Sequence, residues 1–301
     1  MTSTMTPVYS DTAATPTQDA SAAPPKPRLS VIIPAYNEER RLRRSLPRLD
    51  RYLRTLDREA EVIVVENGSA DRTAAVVEEF QRHMPSLRLL RVPAAGKGWA
   101  VRAGMLAATG EHLMFCDADF SMPVEGIARF TALLDGGAPI VIASREMDGA
   151  ERHGEPPRRH LMGRVFNRGV QALLVPGIAD TQCGFKAFRR AVARDLFSLQ
   201  RMRGWAFDVE ILHLARRRGY PVRQLGIDWY YDADSRVRGL PDSLGMVGEL
   251  LRIRLNGASG LYRRRCPPVG RGQPGAWTDG APVVPAPLAT SAASTAWGRS
   301  A

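Results

Sequence analysis

From residue 29 onward the chain alternates short, almost purely apolar runs with longer stretches in which large apolar residues recur every three or four positions. This switching between the strand and helix periods predicts strands and helices in turn. Strands are expected over 29–33, 61–65, 87–92, 112–116 and 140–143, and helices over 38–56, 70–83 and from a loop at 94–98 to about Gly110. In the first helix Leu42, Leu46, Leu49 and Leu53 fall on one face. The second half is less regular. Helices are expected over 159–174, 190–199 and 207–218, strand-like segments over 184–188 and 222–227, and a last helix over 242–255 whose Leu244, Val247 and Leu251 share one face. Strands this continuously apolar suit a mostly parallel sheet covered by helices on both faces. In such sheets ligands bind at the carboxyl ends of the strands, which is where the polar motifs of this chain fall.

Residues 1–27 are dominated by Thr, Ser, Ala and Pro, and 261–301 run from a basic start into a Gly-, Ala- and Pro-rich stretch. Neither carries enough large apolar side chains to offset the entropy of ordering, so both are expected to be disordered tails. They bracket one expected α/β domain over 28–260, without internal repeats. No run approaches the roughly 18 to 20 apolar residues that span a bilayer, and the N-terminus lacks a basic-then-apolar signal. The expectation is a cytoplasmic protein that can sit peripherally on the inner face of the cell membrane.

The net charge of +11 favours anionic partners: a phosphorylated substrate, an acidic membrane surface or nucleic acid. Of the 42 basic residues only Lys26, Lys97 and Lys186 are lysines, a skew that a GC-rich genome explains equally well. No RNP-like aromatic pattern or zinc-finger spacing accompanies the charge, so nucleic acid is not an expected partner. Cys116, Cys183 and Cys266 form no CxxC pair, and the five histidines show no metal-ligand spacing.

Three strand-end motifs carry candidate chemistry. Asp117-Ala118-Asp119 offers two carboxylates on the same side of an extended segment, close enough to share a divalent cation and its diphosphate ligand. The run from Glu66 to Asp71 combines an acid, a turn that tolerates positive φ at Gly68, and a helix start with the capping hydroxyl of Ser69; a well-capped βα junction would look the same. Gly96-Lys97-Gly98 allows close backbone approach to a phosphate beside an ammonium, without P-loop spacing.

In order along the chain, VIIPAYNE at 31–38, VENGSADRT at 65–73, GKG at 96–98, DADFS at 117–121, ASR at 143–145, DTQCGFK at 180–186 and WAFDVE at 205–210 resemble family 2 glycosyltransferases. Within them the resemblance is to the dolichyl-phosphate sugar synthases, especially the glucosyltransferase branch, and it covers about residues 29–257. It implies a GT-A (Rossmann-like) fold and an inverting, metal-dependent hexosyl transfer from a nucleotide sugar to a polyprenyl or dolichyl phosphate, with glucose ahead of mannose. Carried over by position, Pro34, Tyr36, Glu38, Glu66, Gly68, Ser69, Lys97, Asp117 and Ala118 would bind the nucleotide sugar. Asp117 and Asp119 would hold Mg²⁺ or Mn²⁺, with Asp119 as the main ligand. Arg145 and Arg159 would hold the acceptor phosphate and act in catalysis with Lys97 and Asp119, while Gln182, Trp205 and Asp208 would line the acceptor side. Where the family carries Asp-Asp, this chain has Glu66-Asn67, which leaves UDP-glucose and GDP-mannose both open as donors.

An ionised phosphate monoester needs no protein base, because its second pKa is about 6. The resemblance therefore implies attack on the anomeric carbon by the acceptor phosphate, with metal, lysine and arginines supplying electrostatic positioning. A lipid acceptor also calls for contact with an anionic membrane surface, for which the 242–255 helix between Arg236/Arg238 and Arg263–Arg265 is the candidate; packing that helix on the core would explain it equally. A soluble phosphorylated or glycan acceptor, and a non-catalytic nucleotide-sugar-binding protein, are the alternative readings. A sugar nucleotidyltransferase would need a glycine-rich loop after the first strand, and Pro34 to Glu38 is not one.

Overall fold

The computed structural model describes residues 28–93, 95–232 and 239–263, with side chains of the last helix from 245 onward. The expected tail 1–27, positions 264–301 of the tail expected over 261–301 with Cys266, Arg264 and Arg265, and Arg236, Arg238 and the side chain of Leu244 lie outside the described residues; Tyr262, expected in that tail, is instead buried in the core. The elements run β1 (Leu29–Ala35), α1 (Glu39–Leu53), β2 (Ala60–Glu66), α2 (Thr73–Gln81), β3 (Leu87–Arg91), α3 (Lys97–Ala107), β4 (His112–Phe115), α4 (Ile127–Asp135) and β5 (Ile140–Ser144). They continue through β6 (Glu151–His153), α5 (Pro157–Leu173), β7 (Lys186–Arg189), α6 (Arg190–Leu199), α7 (Phe207–Arg217), β8 (Val222–Gly226), β9 (Asp228–Tyr230) and α8 (Gly239–Ala258).

Seven strands form one sheet in the order β3-β2-β1-β4-β7-β5-β8, and β6 pairs with β9 apart from it. All pairings in the large sheet are parallel except those of β7, which inserts antiparallel between β4 and β5. The apolar runs are continuous because successive residues enter two different cores. Val31, Ile33, Val62 and Val64 pack with α1, α2 and α4, whereas Ile32, Ile63, Val65 and Phe115 pack with α3, α6 and α7. The mostly parallel α/β sheet covered on both faces is thus the arrangement the apolar pattern predicts.

Five details depart from the expected elements. Helix α2 begins at Thr73 rather than at 70, so Ser69 does not cap it and its hydroxyl accepts from the Asn37 N–H instead. Helix α4 is missing from them because its stripe spans only nine residues and includes Thr131 beside Ile127, Phe130 and Leu134. The strands β6 and β9 are three residues long and too polar to show a period. Lys97, expected in a loop, is the first residue of α3. In α8 the core-facing residues are Met246, Leu250 and Ile253, leaving Val247 and Leu251 of the expected apolar face exposed. No helix among the described residues is long and apolar enough to cross a membrane.

Candidate active site

Parallel pairing brings the carboxyl ends of β1, β2, β4 and β5 to one edge of the sheet, and antiparallel β7 starts at that edge, with Lys186 opposite both Phe115 and Ile142. At the β1 and β2 ends the two motif turns are bonded to each other. Asn37 sits at φ 53°, a left-handed conformation that asparagine tolerates, and its Oδ1 accepts from the N–H of Ala70 at 2.7 Å and Asp71 at 3.3 Å. The Asn37 N–H donates to Ser69 Oγ at 3.0 Å, the Glu38 N–H to Thr73 Oγ1 at 2.8 Å, and Glu66 Oε1 accepts from the Ser69 N–H at 2.5 Å. Gly68 takes the positive φ of the turn, Pro34 is buried within β1, and Tyr36 is 48% exposed at the edge. The Glu38 carboxylate pairs with Arg41 at 3.1 Å, and Arg41 Nε reaches Asp232 Oδ2 at 3.0 Å, a partner 191 residues away that no local pattern could supply.

Past the end of β4, Asp117 and Asp119 lie in one turn in which Phe120 has φ 47°. Asp117 Oδ1 is 2.5 Å from Lys97 Nζ, and that ammonium also stands 5.1 Å from the centroid of the Trp205 ring. Burial would lower the Lys97 pKa, but Asp117 and Asp208 outweigh it and the group stands above its ordinary value. Asp119 Oδ1 accepts from the Ser121 N–H at 3.0 Å, yet burial and the charge of Asp117 push its carboxyl upward. Under Asp117 lies Gly184, where any Cβ would stand 2.0 Å from Asp117 Oδ2. The missing side chain is what makes room for that carboxylate. Two crowded, half-buried carboxylates, one of them with its carboxyl pushed upward by the other, fit a divalent cation.

The glycines of the 96–98 motif have a different use from the one expected. A Cβ on Gly96 would stand 2.4 Å from the Arg203 carbonyl oxygen, and one on Gly98 would stand 2.6 Å from that of Met202. They let the start of α3 press on the backbone of 200–206, the segment that lays Trp205 against Lys97. Gln200 Nε2 donates to the carbonyls of Gly98 at 2.8 Å and Met202 at 2.9 Å, and Asn67 closes the other side. The Asn67 amide is satisfied with its nitrogen 2.9 Å from the Ala35 carbonyl and its oxygen 3.1 Å from the Gly96 N–H. Glu210 accepts from the N–H groups of Arg201 at 2.9 Å and Met202 at 2.7 Å and from the Tyr262 hydroxyl at 2.7 Å. It is a clamp for the 200–202 segment. Glu249 of α8 adds a bond from the Ala206 N–H at 3.1 Å.

Beyond β5, Arg145 embraces Asp180: Nε donates to Oδ2 at 2.7 Å, Nη2 to Oδ1 at 2.9 Å, and the Arg145 N–H to Oδ2 at 3.0 Å. Burial alone would raise the Asp180 carboxyl, but the guanidinium overrides it and holds the group at about 2. Arg145 also faces the Trp229 ring at 5.2 Å, as Arg159 faces Tyr231 at 5.2 Å. Asp208, in the first turn of α7, is almost wholly buried, and its Oδ1 accepts from Lys186 Nζ at 2.5 Å; that ammonium also donates to the Cys183 carbonyl at 2.7 Å. Gln182 Nε2 lies 3.7 Å from Met246 Sδ of α8. Burial pushes the thiol of Cys183 up to about 12 and that of Cys116 well above its ordinary value, so neither is a nucleophile at neutral pH. Glu151, His153 and Asp228 are the only grouping of three metal-competent side chains among the described residues, with ligand atoms within 4.8 Å of one another on the β6–β9 pair. They include neither Asp117 nor Asp119.

Residues 30–197, more than half the chain, match the sequence model described as Glycosyl transferase family 2. The chain belongs to that family. Among the relatives of this family 2 glycosyltransferase, a dolichyl-phosphate beta-glucosyltransferase of Trichomonas vaginalis is 34% identical over 246 residues, covering 77% of this chain and 72% of the relative. Enzymes of the same name from Dictyostelium discoideum and Homo sapiens are each 33% identical, covering 78% and 79% of this chain and 76% and 78% of their own. A solved glucosyl-3-phosphoglycerate synthase from Mycobacterium tuberculosis, in complex with Mn²⁺, UDP and glucosyl-3-phosphoglycerate, superposes with a TM-score of 0.55 at 20% identity, covering 78% of this chain and 80% of that one. A further mycobacterial structure reaches 0.59 at 21%, covering 78% and 75%. These likenesses establish the GT-A fold.

In this glycosyltransferase the residues named from sequence converge on one sheet edge, although their partners were hidden. The ion pairs of Arg145 with Asp180, Lys186 with Asp208 and Arg41 with Asp232 join segments distant in sequence. Gly184 is the functional position the motifs understated, because its role is a missing Cβ. Among the described residues this edge gathers the paired Lys97 and Asp117, Asp119 and the exposed Tyr36, flanked by arginines over aromatic rings. That set suits a nucleotide diphosphate bound through a cation.

Proposed function

We propose that this family 2 glycosyltransferase moves glucose from UDP-glucose to a polyprenyl phosphate of the dolichyl type, with inversion at the anomeric carbon. The observation that carries the reading is the cluster of Asp117, Asp119 and Lys97 at the end of β4, in a chain one third identical over most of its length to beta-glucosyltransferases named for dolichyl phosphate. The word glucosyl in those names, and the UDP bound in structures of the same fold, favour UDP-glucose over GDP-mannose.

Asp117 and Asp119 would hold Mg²⁺ or Mn²⁺, as bound in structures of the same fold. Such an ion would neutralise the diphosphate and stabilise it as a leaving group. Lys97, held by Asp117 and backed by Trp205, would donate to the same diphosphate. The acceptor phosphate, ionised at neutral pH, forms a bond from one oxygen to the anomeric carbon while the bond from that carbon to the diphosphate oxygen breaks. The diphosphate departs with the electron pair, no protein base is needed, and an α-linked donor yields a β-linked product. Arg145 would bring the acceptor in as a preorganised cation: two of its three guanidinium nitrogens bond Asp180, which sets its plane and lowers the entropic cost of binding. Arg159 would act beside it, with Gln182 and Trp205 lining the acceptor side. Asp208 would act through its contact with Lys186.

The test is transfer of radiolabel from UDP-glucose, and separately GDP-mannose, to a short-chain polyprenyl phosphate in detergent with Mg²⁺ or Mn²⁺. Label from UDP-glucose in the organic phase, abolished by chelator and in Asp119→Ala, supports the reading. Donor hydrolysis without lipid product moves the acceptor to a soluble phosphate, and donor binding without turnover refutes the enzyme.

A further inference from the structure

We infer that the outer faces of α5 and α8 together form a docking surface for an anionic lipid bilayer, and that this surface is continuous with the acceptor side of the site. The inference rests on the lipid-acceptor reading for its purpose, although its evidence is separate. Helix α5 is seventeen residues long and buries only Val170. Its Leu161, Met162 and Val165 are exposed, Leu161 by 65% and Val165 by 61%. On α8 the stripe at i, i+4 and i+8, Val247, Leu251 and Leu255, is likewise exposed, Leu255 by 66%. Six large apolar side chains on two helices that touch, Arg254 Nη1 donating to the Leu173 carbonyl at 2.9 Å, exceed the scatter of single exposed residues normal for a surface.

Charge selects the occupant. Across Pro157–Leu173 there is no acidic residue, while Arg158, Arg164 and Arg168 are exposed among the apolar positions. Helix α8 carries two acids, Asp242 near its start and Glu249, which bonds the Ala206 N–H; beside the exposed stripe Arg252 and Arg254 are exposed. A second copy of the chain packing α5 against α5 would set arginine against arginine. An anionic lipid surface instead takes the apolar side chains into its acyl boundary and neutralises the arginines at its headgroups.

The same two helices touch the acceptor residues. Arg159 is on α5 one turn before Met162, and Gln182 contacts Met246 on α8. A lipid phosphate in the docked bilayer would enter between residues already attached to the docking surface.

The test floats the full-length protein on vesicles of phosphatidylcholine with and without about a quarter phosphatidylglycerol, beside transfer to a short, water-dispersed polyprenyl phosphate. The wild type is expected on anionic vesicles, with partitioning lowered on the order of tenfold or more by Leu251→Ser with Leu255→Ser, or by Leu161→Ser with Val165→Ser. Arg164→Gln with Arg168→Gln is expected to remove the preference for anionic lipid. Short-acceptor turnover should stay unchanged in all of these variants. Unchanged flotation of the serine variants, or a dimer of the wild type that they convert to monomer, overturns the proposal. Vesicle binding without transfer leaves the docking surface standing and refutes the acceptor; transfer without vesicle binding does the reverse.

Discussion

Replacing Gly184 by alanine separates the role of the site from the stability of the fold. Gly184 is not among the positive-φ residues, so its backbone accepts a side chain. The new Cβ would stand 2.0 Å from Asp117 Oδ2 and 2.5 Å from Asp117 Cγ, about 1.4 Å short of ordinary contact at 3.4 Å. The obstructing atoms are the end of a side chain 36% exposed to solvent, so the carboxylate can swing away at little cost in folding. Tm should fall by no more than about 4 °C. The carboxylate that moves is the one paired with Lys97, and misplacing a catalytic group by about 1 Å costs on the order of 10²-fold in rate. We expect kcat/KM for donor turnover to fall about 10²-fold, with Mn²⁺ required at higher concentration for half-maximal rate. Gly98→Ala is the contrast. There the obstruction is the Met202 carbonyl at 2.6 Å and Phe207 Cβ at 2.8 Å, parts of the backbone and core, so stability should drop by about 1–3 kcal/mol. Activity of Gly184→Ala within a factor of about three of wild type, or a loss that merely tracks unfolding as in Gly98→Ala, would refute the reasoning.

The Asp180 carboxyl is held at about 2 when folded against 3.8 in the free residue, a depressed value, so its stabilising contribution is complete above 3.8 and is lost as pH falls through 2. By linkage it amounts to about 2 kcal/mol, and urea unfolding of wild type and Asp180→Asn should converge by that much between pH 5 and pH 2. Lys186→Met removes the ammonium bonded to the buried Asp208 and should cost about 3 kcal/mol at neutral pH, the deficit shrinking as pH falls because burial already holds that carboxyl above its ordinary value. Lys186→Met with Asp208→Leu should recover much of that stability but not activity, measured by denaturant unfolding and donor turnover side by side. Glu210→Ala strips partners from the buried N–H of Met202, the half-buried N–H of Arg201 and the buried Tyr262 hydroxyl and should cost about 2–4 kcal/mol, seen as a lowered denaturation midpoint.

The order and kind of the main elements were legible in sequence because they depend on local period. Leu42, Leu46, Leu49 and Leu53 can face a core only as a helix, and runs such as Val62 to Val65 are satisfied on both sides only between two layers. The positions of Asp117, Asp119, Lys97 and Glu66 were legible for a related reason: polar motifs at the carboxyl ends of parallel strands must meet at one sheet edge. Reversal of β7 was not legible, since a four-residue strand reads the same in either direction. Nor were the partners of Arg145, Asp208 and Glu210, each joined to residues that only folding brings near. Gly184 and the 96–98 glycines carry meaning only through what a Cβ would strike. On α8 the sequence by itself determined an apolar stripe, but whether Leu251 faces the core or the outside depends on which side of the helix lies against α7 and the 200–206 segment. That was decided by tertiary packing, because Met246, Leu250 and Ile253 bury better there and leave Val247, Leu251 and Leu255 outside.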